Sequence, residues 1–178
     1  MSSERQTVRA PMGAPGEFFQ VGVVTADLEA AIESSLRLSH AQSAARLDTA
    51  YHARFRDAEV EIRNRNAFIP LGPRIHLELV EPVSGDGVQS AWLETRGPGV
   101  FHLAYAVDDP GDFDGGDIDI PFLTEHGTRY LDTTKQLGYY TELSPAARAG
   151  RLRDWVERTV AGDEPDFAST VMNQPTVH

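Results

Sequence analysis

Residues 74–82 read RIHLELVEP, a strand with two unlike faces. Strand side chains alternate, so Ile75, Leu77 and Leu79 share one side while His76 and Glu78 share the other. An antiparallel sheet with one wet face accounts for such a pattern. Yet the stretch lies mid-chain, in a domain with little sheet to leave uncovered. A carboxylate and an imidazole on the second face of a central strand need solvent or a partner, because unpaired polar groups are costly to bury.

Before this strand, EFFQVGVV (17–24) reads as a strand, and Asp27 caps a helix in which Leu28, Ile32 and Leu36 line one face. The stretch AYHARFRDAEVEIR (50–63) predicts two strands broken near Asp57. NAFIPLGP (66–73) reads as turn chemistry. After the strand, VQSAWLETR (88–96) predicts a short helix ended by Gly97 and Pro98. GVFHLAYAVDD (99–109) predicts a strand, PGDFDGGD (110–117) a loop, and IDIPFLTEHGTRYLDT (118–133) a hairpin turning at Gly127. LGYYTEL (137–143) is the last predicted strand. A C-terminal helix over 144–162 places Leu152, Trp155, Val156 and Val160 on one side. Residues 1–16 are expected to be a flexible arm and 163–178 a tail. Strands dominate and helices are few, an α+β class in which strand, helix and three strands are followed by a similar run of strand, connection and three strands.

At 178 residues the chain reads as one domain with room for a core. No apolar run approaches the roughly 18 residues of a membrane span. The N-terminal stretch lacks the apolar segment of a secretory signal, so the expected location is cytoplasmic. The absence of cysteine excludes disulfides and thiolate metal sites. Sixteen basic residues against twenty-seven acidic ones give a net charge of −11, which disfavours nucleic acid and anionic membrane as partners.

The polar interruption at Glu78 recurs. Gln20 breaks FFQVGVV, His102 breaks VFHLAYAV, and Glu142 breaks YYTEL. On neighbouring strands these four would converge, and two carboxylates, one imidazole and one amide oxygen suit a divalent cation with water in the open positions. Read singly, each has an ordinary alternative. Glu142 fits a solvated face, Gln20 a hydrogen-bonding edge and His102 a satisfied core histidine. His76 and His52 fit solvent-facing positions. DFDGGDID (112–119) lacks the spacing and terminal Glu of an EF-hand and reads as a solvated turn.

The stretches FFQVGVVTADLEAAI (18–32), IHLELVEP (75–82), GPGVFHLAYAVDD (97–109) and RYLDTTKQLGYYTEL (129–143) resemble the metal-bearing strands of the vicinal oxygen chelate superfamily. That superfamily comprises glyoxalase I, methylmalonyl-CoA epimerase, bleomycin-resistance proteins and extradiol dioxygenases, and the epimerase and glyoxalase-like branch is nearest. The resemblance implies paired βαβββ modules, about 17–83 and 99–143, curled around a cleft. It carries the four ligand positions onto Gln20, Glu78, His102 and Glu142. It also implies a divalent metal (nickel, cobalt, zinc, manganese, magnesium or iron) and a homodimer. Two departures stand out. Phe101 replaces the first of two adjacent histidines usual in the epimerases, and only PGDFDGG stands where the second module has a helix.

The chemistry implied is isomerisation, epimerisation or a lyase step through an enolate. Glu142 is the first candidate for the base and Glu78 the second. His76, Phe18, Phe101 and Tyr140 are candidates for contact with substrate. A small carbonyl compound, a thioester or a polyketide-like secondary metabolite fits. An extradiol dioxygenase fits less well, because Gln20 breaks the two-histidine, one-carboxylate iron triad. The competing class is a drug-sequestering binding protein that uses the same cleft.

Overall fold

The computed structural model describes residues 16–113 and 118–172. Residues 1–15 of the arm expected over 1–16, Asp114–Asp117 of the acidic turn and 173–178 of the expected tail lie outside the described residues. The elements are β1 (Glu17–Val24), α1 (Leu28–Ser39), β2 (Ala45–Phe55), β3 (Ala58–Gly72), β4 (Ile75–Ser84), α2 (Val88–Arg96) and β5 (Gly99–Val107). They continue with β6 (Phe122–Thr124), β7 (Arg129–Leu131), α3 (Thr134–Leu137), β8 (Tyr140–Pro145) and α4 (Ala146–Val160).

The eight strands close into a barrel in the order β1-β4-β3-β2-β6-β7-β8-β5. Each half repeats one plan, in which the first strand pairs in parallel with its module's last. The halves join antiparallel through β1 and β5 and close through a three-residue seam between β2 and β6. This is the α+β architecture of paired βαβββ modules. The second module's helix shrinks to a single turn at Pro110–Asp112, which the Asp109 side chain caps by accepting from Gly111 N at 2.6 Å.

The opening strand's two faces now have their reasons. In α1, Asp27 accepts from Ala30 N at 3.0 Å, and the helix lays Leu28 and Ile32 over Leu79, Ala67 and Ile69. That covers the apolar face of β4. The other face of β4 points into the barrel. Helix α2 closes one end by packing Val88 and Trp92 against Val24, Ile62 and Phe101. Helix α4 closes the other with Ala149 and Leu152 against Phe19, Ala104 and Ala106.

Three expectations are corrected. NAFIPLGP is not a turn: it is the second half of β3, with Phe68 and Ile69 buried. Pro70 is tolerated because β2 starts at Ala45, opposite Phe68; beyond that point β3 has no neighbour on that side needing its N–H. The stretch expected as a tail folds back as far as Met172. A π-helical turn at Ala168–Met172 buries Val171, and Phe167 meets Trp155 edge to face with ring centroids 5.1 Å apart. The apolar stripe of α4 is spent within the chain, where Trp155 and Val156 pack on Ala45 and Phe68. It therefore gives a homodimer no support. No helix among the described residues is long and apolar enough to cross a membrane.

Candidate metal and active site

Gln20, Glu78, His102 and Glu142 sit on β1, β4, β5 and β8, which are adjacent in the barrel order β4-β1-β5-β8. Register aligns them: Gly22 pairs with both Glu78 and His102, and Ala104 pairs with both Gln20 and Glu142. Their side chains meet. Gln20 Nε2 lies 2.7 Å from Glu78 Oε2 and 2.9 Å from His102 Nε2. His102 Nε2 in turn lies 3.2 Å from Glu142 Oε2 and 3.5 Å from Glu78 Oε2.

Each donor is held by a neighbour. The His102 ring lies flat over Gly22; a Cβ there would fall 2.1–2.4 Å from three ring atoms, so only glycine leaves room. His102 is fully buried and its Nδ1 has no hydrogen-bond partner, leaving Nε2 as the ring's one engaged atom. Ser144, two residues along the same face of β8, donates to Glu142 Oε1 at 2.7 Å, and Thr128 lies 3.0 Å from Ser144. The buried Tyr130 hydroxyl lies within electrostatic reach of Glu142. Behind Gln20, His76 Nε2 sits 2.7 Å from Oε1.

Burial sets the electrostatics. It pushes the Glu78 carboxyl up to about 8, helped by the negative charge of Glu142 and opposed by Arg148. The 16% of its side chain that remains exposed faces the cavity it lines. Burial pushes His76 down to about 3, with Arg153 and His102 adding to the effect. It lowers His102 as well, against the pull of Glu142. The Tyr130 hydroxyl is raised well above its usual range, first by burial and then by Glu142.

The donor set fits a divalent cation in kind and in convergence. The four groups contact one another directly. Among the described residues, no group of three or more His, Asp or Glu stands in position to hold a metal ion. Accepting a cation requires two adjustments: Glu78 gives up its proton, and the Gln20 amide turns its oxygen inward. The second is a rotation about one bond, since His76 Nε2 either donates to the amide oxygen or accepts from the amide nitrogen.

A cavity of about 280 Å³ opens beside these groups and is lined by Gln20, Glu78 and Glu142. Its wall holds none of the four side chains expected to touch substrate. His76 is not solvent-facing; it is buried behind Gln20. Phe18 lies on the outer surface against Tyr105, 5.6 Å between ring centroids. Phe101 is fully buried beneath His102, and Tyr140 packs on Trp92 and Phe101. His52 is exposed, as expected. The aromatic wall comes instead from Phe19, Tyr51, Phe68, Phe122 and Tyr130. Sequence reasoning missed these, along with Arg148 and Ser144. Only Ser144 carried a signal, its spacing of two from Glu142.

A family model described as the Glyoxalase/Bleomycin resistance protein/Dioxygenase superfamily matches residues 19–133. Among solved structures, a methylmalonyl-CoA epimerase variant from Streptomyces coelicolor in complex with 2-nitronate-propionyl-CoA is similar at 20% identity with a TM-score of 0.50. The match covers 75% of this chain and 100% of that one. A methylmalonyl-CoA epimerase in complex with methylmalonyl-CoA and ammonium is similar at 20% identity and a TM-score of 0.50, over 75% of this chain and 97% of that one. The epimerase from Mycobacterium tuberculosis gives 19% and 0.49, over 80% and 96%. At these identities the likeness is one of fold. No curated protein sequence matches the chain.

Proposed function

The chain belongs to the glyoxalase/bleomycin resistance protein/dioxygenase superfamily, and from that premise we propose that it is a metal-dependent isomerase, epimerase or lyase that moves a proton at the carbon beside a carbonyl. One observation carries this reading: an amide, an imidazole and two carboxylates from four strands converge on one point beside the barrel's cavity. Gln20, Glu78, His102 and Glu142 would hold a divalent ion. Such an ion supplies Lewis acidity, polarising a carbonyl oxygen so that the neighbouring C–H is easier to ionise.

The chain's own residues do the rest. Gly22 keeps the His102 ring flat, and His76 Nε2 partners the outer end of the Gln20 amide whichever way that amide is turned. Ser144 holds Glu142 in one orientation. From there its Oε2 takes the proton from carbon and returns it to the same carbon or to its neighbour. A cavity of about 280 Å³ suits a small carbonyl compound, the acyl end of a thioester or a fragment of a polyketide-like metabolite.

The test uses protein loaded in turn with nickel, cobalt, zinc, manganese, magnesium and ferrous iron, incubated in D₂O with a panel of small carbonyl compounds and acyl thioesters. Deuterium incorporation beside the carbonyl, read by NMR and reduced at least about a hundredfold by Glu142→Gln, is the expected result. A chain that takes up no metal and exchanges no proton, while still binding an aromatic drug, would establish the sequestering role instead.

A further inference from the structure

The cavity has a second polar cluster that the proposed chemistry leaves unused. On the α2 side of the barrel, the Tyr51 hydroxyl on β2 accepts from Gln89 Nε2 at 3.1 Å and from Asn64 Nδ2 at 3.4 Å. Asn64 and Gln89 are each only 3% exposed. Their carbonyl oxygens, Asn64 Oδ1 and Gln89 Oε1, are buried without a hydrogen-bond partner. Both residues line the cavity that holds the four converging donors.

Two buried amide acceptors left unmet are an expensive feature, because each loses its water without a replacement. Turning the amides over does not remove it. A hydroxyl carries one hydrogen, so Tyr51 can donate to at most one amide oxygen. The other amide must then donate to Tyr51 and leave its carbonyl facing away. By contrast the amide nitrogen of Asn66, one inward position along β3, donates to Leu47 O at 3.2 Å and to Thr49 Oγ1 at 2.9 Å, and its oxygen is not among the buried atoms without a partner. Among the described residues, Asn64 and Gln89 hold the buried side-chain amide oxygens that lack a partner.

From this we infer that Asn64, Tyr51 and Gln89 form a recognition subsite for a hydrogen-bond donor on the ligand, a hydroxyl or N–H group remote from the reacting carbonyl. The inference deepens the proposed function by naming the substrate class: a carbonyl compound with a separate O–H or N–H donor. It rests on that reading only in taking the cavity as the substrate's place. A substrate without such a donor would leave the acceptors dry and bind more weakly.

The test uses metal-free protein and two probes of nearly the same shape, phenol and fluorobenzene, with binding followed by NMR. Phenol should bind about tenfold more tightly, as one net hydrogen bond to a buried acceptor predicts. The side-chain amide resonances of Asn64 and Gln89 should move with phenol and stay still with fluorobenzene. In the Asn64→Leu/Gln89→Met protein, the preference should vanish while fluorobenzene still binds. The amide resonances of the unsubstituted protein decide the matter should that double variant fail to fold. Phenol binding no tighter than fluorobenzene, no saturable phenol binding, or a preference that survives both substitutions overturns the inference. Because no metal is present, a failure to load metal or to exchange protons leaves these outcomes unaffected, and the two readings fall separately.

Discussion

Gly22 shows how one missing side chain supports the site. Its place is opposite His102, where a Cβ would overlap the imidazole at 2.1–2.4 Å. Gly22→Ala should therefore force the ring off its seat, lowering stability by about 1–3 kcal/mol. It should also weaken nickel binding at least about tenfold. Urea unfolding and calorimetric titration check the pair; an alanine protein with unchanged metal affinity would remove His102 from the ligand set. The buried titratable groups also predict the pH profile of the metal-free protein. Glu78, raised from 4.5 to about 8, contributes stability that is full below 4.5 and lost as pH rises through about 8. His76, lowered from 6.5 to about 3, contributes stability present above 6.5 and lost on acidification towards 3; His102 shifts in the same direction. Stability should thus peak near pH 6.5 and fall on both sides. Thermal melts across that range test this, and Glu78→Gln should abolish the alkaline decline while leaving the acid limb.

Among the elements, β4 and α4 show what patterning can and cannot reveal. The alternation of β4 was legible as two faces, and the apolar one does pack under α1. The stripe of α4 was legible too, but not what it would cover. It lies on its own barrel, with Trp155 4% exposed and donating from Nε1 to Pro165 O at 2.9 Å. That bond ties the helix to the segment carrying Phe167 and Val171. Trp155→Ala should cost about 3–5 kcal/mol by leaving a cavity beneath that segment. A loss below about 1 kcal/mol in denaturant titration would mean that the C-terminal segment repacks freely. The second half of β3 was misread, because Pro and Gly there signal a turn locally whereas the pairing with β4 carries on through them.

At the scale of the molecule, the barrel is unevenly closed. The β2–β3 ladder runs eleven pairs, from Ala45↔Phe68 to Phe55↔Ala58, whereas the β2–β6 seam has three. Short ladders open at lower free energy. Amides of Phe122–Thr124 should then exchange with solvent well before those of β1 and β4, as followed by hydrogen–deuterium exchange. Equal protection of the seam and of β1 would argue that the barrel opens only as a unit. Since the candidate site lies on β4-β1-β5-β8, across the barrel from that seam, opening there could admit ligand without disturbing the converging donors.

By itself the sequence determined the class, the twice-repeated plan and the strands bearing Gln20, Glu78, His102 and Glu142, because alternation and polar interruption are properties of a strand taken alone. Tertiary structure decided which side chains face the cavity. Bulges in the β1–β5 pairing, between Phe18 and Gln20 and opposite Gly22 and Val23, add a residue to one strand and reverse the parity of everything beyond it. That is why Phe19 replaces Phe18 on the cavity wall, and why Phe101 and His102, adjacent in the chain, are both fully buried. A bulge exists only in relation to a partner strand, so no reading of period two within one strand could have located it.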